Sequence, residues 1–423
     1  MDKENIFLEN KHILICDDKD IAMLNEQYVK ELEYIKSNFC GIVIPDIKTF
    51  NEYVCFPKTI VYMCGNIENN LSYLDAKDNC VFCVVKEFST NFISETDKYT
   101  VISLGEVPVN IHGVGVYFRN LFDHNKDYFN LINGEHEFQS LTESNKPSNA
   151  FRTGIYLTNV EKSNDEIKFK LLRCSSNLNG PTDNFRTTDN EIVGQVNSIS
   201  EYFFEQKANL NHVLAQIYEN KTTMINDKKK EKKASIKEHS DKTKDMYRNS
   251  LMAFCTFYKD YSNDKFNDSS LKHIKKSTND YFDWCYGNAS VLTRIRFRLK
   301  KMVTDPKLKT QFDIILYPNS VFIMSLLMNR LYTHEIIPSV LAVDQIPTRL
   351  GYVIRCSKTT AIFKDECTYI EEEGTYVKME EPDEEGVKKL KELYFKENVS
   401  SELIYYDKFR FSMNSGDYKK PIF

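Results

Sequence analysis

Alanine is scarce in this chain, with ten in 423 residues, and tryptophan occurs once. Lys, Asn, Ile, Tyr and Phe take their place, which is the usage expected of an AT-rich genome and points to a virus or a parasite. Glycine (14) and proline (11) are too few for a collagen-like or low-complexity chain. The longest apolar stretches, Val81 to Val85 and the run around Val321 to Met328, fall far short of the roughly 18 residues a membrane helix needs. Met1-Asp-Lys-Glu-Asn5 carries charge and no apolar segment after it resembles a signal peptide, so the expectation is a protein made and kept inside a cell. The cysteines number 11, an odd count scattered from Cys16 to Cys367, and reduced thiols are expected. No Gly-x4-Gly-Lys-Ser/Thr loop, Gly-x-Ser-x-Gly elbow or His-Glu-x-x-His helix occurs, which removes the usual support for NTPase, α/β-hydrolase and zincin chemistry.

What is present is a chain that can bury a core, with 41% hydrophobic and 13% aromatic residues, and room for two or three domains. The net charge of -5 hides an asymmetry. Lys221 to Lys309 holds 22 basic against 11 acidic residues, whereas Asp365 to Glu402 holds 13 acidic residues against 5 lysines.

Periodicity predicts an α+β chain. Ile21, Leu24, Tyr28, Leu32 and Ile35 recur at helical spacing. Short β-rich runs follow at Gly41 to Ile44, Thr59 to Met63, Cys80 to Val85, Thr100 to Leu104 and Gly113 to Phe118. Phe151 to Thr158 and Ile167 to Cys174 read as a hairpin. Thr188 and Glu191 have capping-box spacing, and apolar residues from Ile192 to Ile217 continue at helical spacing as one long helix or two in series. Residues 1–220 are thus read as an α+β N-terminal domain. Lys221 to Asn249, with ten basic and five acidic residues and almost no large apolar ones, reads as a mobile linker or solvated helix. Residues 250–423 read as a mixed domain: aromatic-rich helices at Leu251 to Tyr261 and Asp280 to Tyr286, a buried element at Val321 to Leu331, a strand at Leu350 to Cys356 and an exposed helix at Glu385 to Lys396.

Cys80-x-x-Cys83 has half a zinc ribbon's spacing, but Cys55 and Cys64 make no second knuckle, so no metal is expected there. Gly113-Val-Gly-Val-Tyr-Phe118 lacks the third glycine of a dinucleotide loop. A non-haem iron triad needs a His-x-Asp/Glu pair and a distant His. The eight histidines, His12, His112, His124, His136, His212, His239, His273 and His334, are expected to supply no such pair and to fill structural roles. A Cys174 nucleophile with His212 as base is the one covalent arrangement considered.

The most distinctive pattern is Arg294-Ile-Arg-Phe-Arg-Leu-Lys-Lys301. As a strand it turns Arg294, Arg296, Arg298 and Lys300 to one face and Ile295, Phe297 and Leu299 to the other. Such a row suits phosphate oxygens or an acidic partner surface. The alternative is an edge strand whose basic face pairs with acids of this chain, Asp365 to Glu402 being the candidates.

Three segments carry a resemblance: Thr142 to Thr158 (TESNKPSNAFRTGIYLT), Cys174 to Asp189 (CSSNLNGPTDNFRTTD) and Val343 to Tyr352 (VDQIPTRLGY). They resemble the baculovirus nucleocapsid-associated structural proteins of occlusion-derived virions, or a relative in another large insect DNA virus. Contacts with other viral capsid proteins are expected, with viral dsDNA a further candidate partner for the basic row and homo-oligomerisation open. The resemblance implies a virion component made in the host nucleus, associated with the nucleocapsid and needed for infectious particles. It implies no catalytic residues, cofactor or metal. The expectation is therefore a non-enzymatic structural protein. The alternative is an enzyme of viral DNA metabolism, such as a carboxylate- and Mg2+-dependent nuclease, or a DNA-packaging factor.

Overall fold

The structure, a computed structural model, describes residues 11–423 apart from 17–25, 54, 66, 68–73, 75–78, 90–91, 93–96, 144–145, 148–151, 174–176, 206–207, 226–227, 262–272 and 407. Helices and strands are mixed, with the strands in several sheets, as the α+β reading expects.

The N-terminal part is a parallel sheet of β1 (His12–Cys16), β2 (Ile42–Ile44), β3 (Thr59–Cys64), β4 (Cys80–Val85) and β5 (Tyr99–Ile102), in the order β2-β1-β3-β4-β5. That is a doubly wound order. The runs HILIC and TIVYMC are apolar without alternation because both faces of the sheet are covered. On one side Leu14 and Cys16 pack with Leu32 and Ile35 of α1 (Glu26–Asn38); on the other Ile13 and Ile15 pack with Ile47 and Phe50. Ile21 and Leu24, expected on the same helix, lie outside the described residues.

The second body is built from antiparallel strands. In chain order these are β6 (Val109–Ile111), β7 (Gly115–Phe118), β8 (Gln139–Glu143), β9 (Arg152–Thr158), β10 (His212–Tyr218), β11 (Ile236–His239) and β12 (Leu251–Tyr258). They continue with β13 (Arg294–Leu299), β14 (Gln311–Ile315), β15 (Ser320–Ser325), β16 (Tyr332–Ile337) and β17 (Arg349–Arg355). A large sheet runs β8-β9-β10-β17-β12-β15-β7-β6, and a four-stranded sheet runs β11-β16-β13-β14. Successive side chains of a strand point to opposite faces, so each central strand of the large sheet serves two layers. Ile155, Val213, Ala253 and Ile323 meet Ile192, Val196 and Phe203 of α2 (Thr187–Phe203). Tyr156, Leu214, Phe254 and Phe322 face Ile295, Phe297, Phe312 and Ile336 of the small sheet. The layers are helix, large sheet, small sheet. A last helix, α3 (Glu384–Val399), packs through Leu390 and Tyr394 against Phe409 and Phe411.

Several expectations are corrected. The helical reading from Ile192 to Ile217 holds only as far as Phe203; Val213 to Ile217 belong to strand β10, whose seven residues are all buried. Leu251 to Tyr258 is a strand rather than a helix, because LMAFCTFY is buried on both faces and so carries no alternation to betray it. Phe151 to Thr158 and Ile167 to Cys174 do not pair with each other: β9 lies between β8 and β10, and Glu166–Leu171 forms its hairpin with Val160–Ser163. Within 221–249, read as a mobile linker or solvated helix, Lys221–Ile225 and Lys228–Lys232 pair as an antiparallel ribbon, β11 follows, and Ser240, Asp241, Lys242, Lys244 and Asp245 are buried. No described helix is long and apolar enough to cross a membrane.

Phe297 is fully buried between the two sheets, 5.1 Å centroid to centroid from Phe312 and 5.7 Å from the His334 ring. Phe297→Ala is expected to cost about 3–5 kcal/mol of stability, as for other large-to-small core changes, measured by chemical denaturation.

Candidate metal centre

β11 is the edge strand of the small sheet and, among the described residues, pairs only with β16, with Ile236 opposite Ile336 and His239 opposite His334. Three steps on β11 match two on β16, a bulge of the kind that re-aims a side chain. It brings the His239 and His334 rings to 4.5 Å between centroids. The His239 Nδ1–H donates to Lys237 O at 2.8 Å, which turns Nε2 toward Asp241. Beyond His239 the chain turns into the protein. Asp241 N–H donates to Asn329 Oδ1 and the Asn329 amide returns a bond to Asp241 O, both at 2.9 Å.

The Asp241 carboxylate is thereby fixed between Arg355 and the two imidazoles. Oδ2 accepts from Arg355 Nε at 2.9 Å and Nη2 at 2.6 Å. Oδ1 lies 3.4 Å from His239 Nε2 and 3.7 Å from His334 Nε2. Burial pushes the Asp241 carboxyl up, but Arg355 and the two imidazoles outweigh it and hold the group well below the usual carboxylate range. Burial, with His239 adding to it, pushes the His334 imidazole down to about 3, so this ring is neutral. His239, Asp241 and His334 each offer a ligand atom, all within 4.8 Å of one another. A first-row ion with bonds of about 2.1 Å sets neighbouring ligand atoms about 3 Å apart, so the cluster closes on such an ion with small rotations. Two imidazoles and one carboxylate are the donors it would find, and His334 Nδ1 is buried with no hydrogen-bond partner.

The cluster sits at a cavity of about 240 Å³ between the two sheets. Leu214, Phe254, Ile295 and Val353 give it apolar walls, and Arg152, Arg349 and Arg355 also line it. Arg349 stands opposite Tyr218 on β10, which stands opposite Arg152 on β9, so the three share one row of the sheet. The Arg349 guanidinium carbon lies 3.9 Å from the Tyr218 ring centroid, and its buried Nη2 has no hydrogen-bond partner. Gly351 makes the room: a Cβ there would come within 2.8 Å of Arg349 Nη1 and 3.1 Å of the Tyr218 ring.

The sequence reading overlooked this site. His239-Ser240-Asp241 is a His-x-Asp pair and His334 is the distant histidine, so the expectation that no such pair exists is corrected. The expected strand at Leu350 to Cys356 is β17, and the two arginines at its ends, Arg349 and Arg355, on one of its faces were the further signal. Other candidates are distributed elsewhere. Arg294 and Arg296 bind Asp313 at 3.0 and 2.6 Å, and Arg298 binds Glu238 at 2.7 Å and Glu335 at 2.6 Å. The expected alternation is present, with Ile295 and Phe297 buried and Leu299 half-buried, but the partners are strand neighbours rather than Asp365 to Glu402. Lys300 leaves the row altogether: it is buried, and Nζ donates to Glu397 O and Ser400 O at the end of α3. Cys174 lies outside the described residues, and burial pushes His212 down to about 3. The described cysteines are free thiols, and neither metal-capable group among the described residues contains one.

The second such group, Glu135, His136 and Asp189, is closed by hydrogen bonds. His136 Nδ1 and Nε2 each lie 2.8 Å from a carboxylate, of Asp183 and Asp189, and Tyr352 O–H donates to the other Asp189 oxygen at 2.7 Å. Burial disfavours the imidazolium, but the two carboxylates override it and raise the pKa to about 9. A folded-state pKa above the unfolded value of about 6.5 stabilises the fold fully below that pH. The contribution, up to about 3 kcal/mol, is lost as pH rises through about 9. The thermal midpoint is therefore expected to fall between neutral and alkaline pH, and His136→Gln to flatten that part of the profile.

No protein-family model matches the chain, and no curated protein matches it. Three solved structures are similar over part of it. A prolyl-4-hydroxylase from Pseudomonas putida shares 8% identity at a TM-score of 0.28 over 54% of this chain and 82% of its own. OsALKBH1 shares 11% at 0.31 over 57% and 96%. The non-heme alpha ketoglutarate dependent epimerase SnoN from nogalamycin biosynthesis shares 9% at 0.31 over 59% and 80%. The expectation of a non-enzymatic virion component is corrected: the chain brings two histidines and one carboxylate, His239, His334 and Asp241, together at a cavity.

Proposed function

We propose that the chain is a non-haem iron oxygenase that uses a small 2-oxo dicarboxylic acid as co-substrate. His239, Asp241 and His334 would hold the iron, and Arg349 would hold the distal carboxylate of the acid. The observation that carries this reading is the convergence of two imidazoles and one carboxylate on one point of an internal cavity. Three protein ligands on one side leave coordination positions open, the arrangement characteristic of ferrous oxygenases. When bound, ferrous iron supplies redox chemistry by which O2 oxidises a substrate C–H bond while the 2-oxo acid loses CO2, one oxygen atom going to each product.

The chain's own residues account for the rest. Arg355 fixes one oxygen of Asp241 and so presents the other. Arg349 gives the cavity a guanidinium whose Nη2 lacks a partner, suited to the carboxylate of a bound acid. Leu214, Phe254, Ile295 and Val353 give the cavity its apolar walls. Alpha-ketoglutarate, the acid in the name of the SnoN epimerase, belongs to this class, with one carboxylate for the metal end of the cavity and one for Arg349.

Anaerobic titration with Fe(II) or Co(II) is expected to show one ion per chain, and His239→Ala or Asp241→Asn to abolish tight binding. A wild-type protein that binds neither ion would end this reading. Arg349→Gln should leave metal binding at the wild-type level while raising KM for alpha-ketoglutarate about 10- to 100-fold, the worth of one charge-assisted hydrogen bond. The readout is O2-dependent CO2 release.

A further inference from the structure

The charged face of β13 has no part in the reading above, yet it reaches both strands that carry histidine ligands. Along β11, β16 and β13 the inward side chains His239, His334 and Phe297 fall in one cross-strand row. Their neighbours in sequence, Glu238, Glu335 and Arg298, project from the opposite face. There Arg298 Nη1 lies 2.7 Å from Glu238 Oε2 and 2.6 Å from Glu335 Oε1, so one guanidinium nitrogen joins the residue before His239 to the residue after His334. Thr333, also adjacent to His334, donates its hydroxyl to Glu238 Oε1 at 2.6 Å, with Arg298 O 3.2 Å from the same oxygen.

We propose that Arg298 is a positioning residue for the metal site, a clamp across the outer face that holds the bulged edge strand β11 in register with β16. The inference rests on the metal reading for its consequence, but the clamp is a property of the protein alone. β11 needs it because it is an edge strand with two paired positions and a register shift between them. Without an anchor on Glu238, the strand can slide or fray, and His239 leaves the point that His334 and Asp241 face. Arg294 supplies the contrast. It lies on the same strand and face, and its ion pair goes to Asp313 on β14, away from the ligand strands.

The test compares Arg298→Gln, Arg298→Lys and Arg294→Gln in the full chain. In the metal-free protein, hydrogen exchange over residues 236–240 is expected to accelerate in Arg298→Gln and stay at the wild-type rate in Arg294→Gln. Co(II) affinity, read from its visible absorption, should fall about 10- to 100-fold in Arg298→Gln, the usual loss when a group supporting a metal ligand is removed. Arg298→Lys keeps the charge and should recover part of both losses, and Arg294→Gln should lose neither. Equal exchange in Arg298→Gln and wild type, or equal losses in Arg298→Gln and Arg294→Gln, would overturn the clamp. A wild-type chain that binds no Co(II) would instead sink the metal reading, and the exchange data would still decide whether Arg298 holds β11.

Discussion

The ion pair between Asp241 and Arg355 is the contact on which the rest of the site depends. It fastens the segment after β11 to the central strand β17, and it decides which oxygen of Asp241 faces the two imidazoles. Buried charge is costly to desolvate, so such a pair is a weak source of stability and a strong source of definite geometry. The same segment repeats the device. Asp245 binds Arg173 through both oxygens, and Lys242 Nζ donates to Ser240 O, Tyr394 O and Asn398 Oδ1. Residues 240–245 are thus held in the interior by charge and hydrogen bonds where most core segments are held by apolar side chains.

That mode of anchoring explains what the sequence concealed. A stretch with ten basic and five acidic residues reads as solvated because burial is ordinarily read from apolar spacing. Its partners, Arg173, Arg355 and the end of α3, are all distant in the chain, and no local pattern announces them. The pair His239-Ser-Asp241 was readable in principle, but it means little without His334, and only the pairing of β11 with β16 joins them. Elements with a wet face, such as Glu166–Leu171 and α3, were legible from their alternation or helical stripe. β12, buried on both faces, looked like helix because nothing in it alternates, whereas β3 and β17, also buried on both faces, were legible as strands.

The charge asymmetry has a similar resolution. Part of the excess of basic residues between Lys221 and Lys309 is the exposed ribbon, and part is paired inside the fold. Arg294 and Arg296 meet Asp313 on the adjacent β14, Arg298 meets Glu335 on the adjacent β16 and Glu238 one strand further on β11, and Lys300 caps a helix end. The row that resembled a phosphate-binding face is neutralised by its sheet neighbours.

The same three strands therefore carry two jobs on two faces. Inward they place Phe297 in the core and His334 and His239 at the cavity; outward they place Arg298, Glu335 and Glu238 in one ionic cluster. A slip of one residue in β16 against β13 would exchange the faces, burying Glu335 against Phe297 and turning His334 to solvent. Each face thus enforces the register that the other needs. Apolar packing opposes a slip from within, charge pairing opposes it from without, and the bulge in β11 supplies the one local departure that a converging ligand set requires.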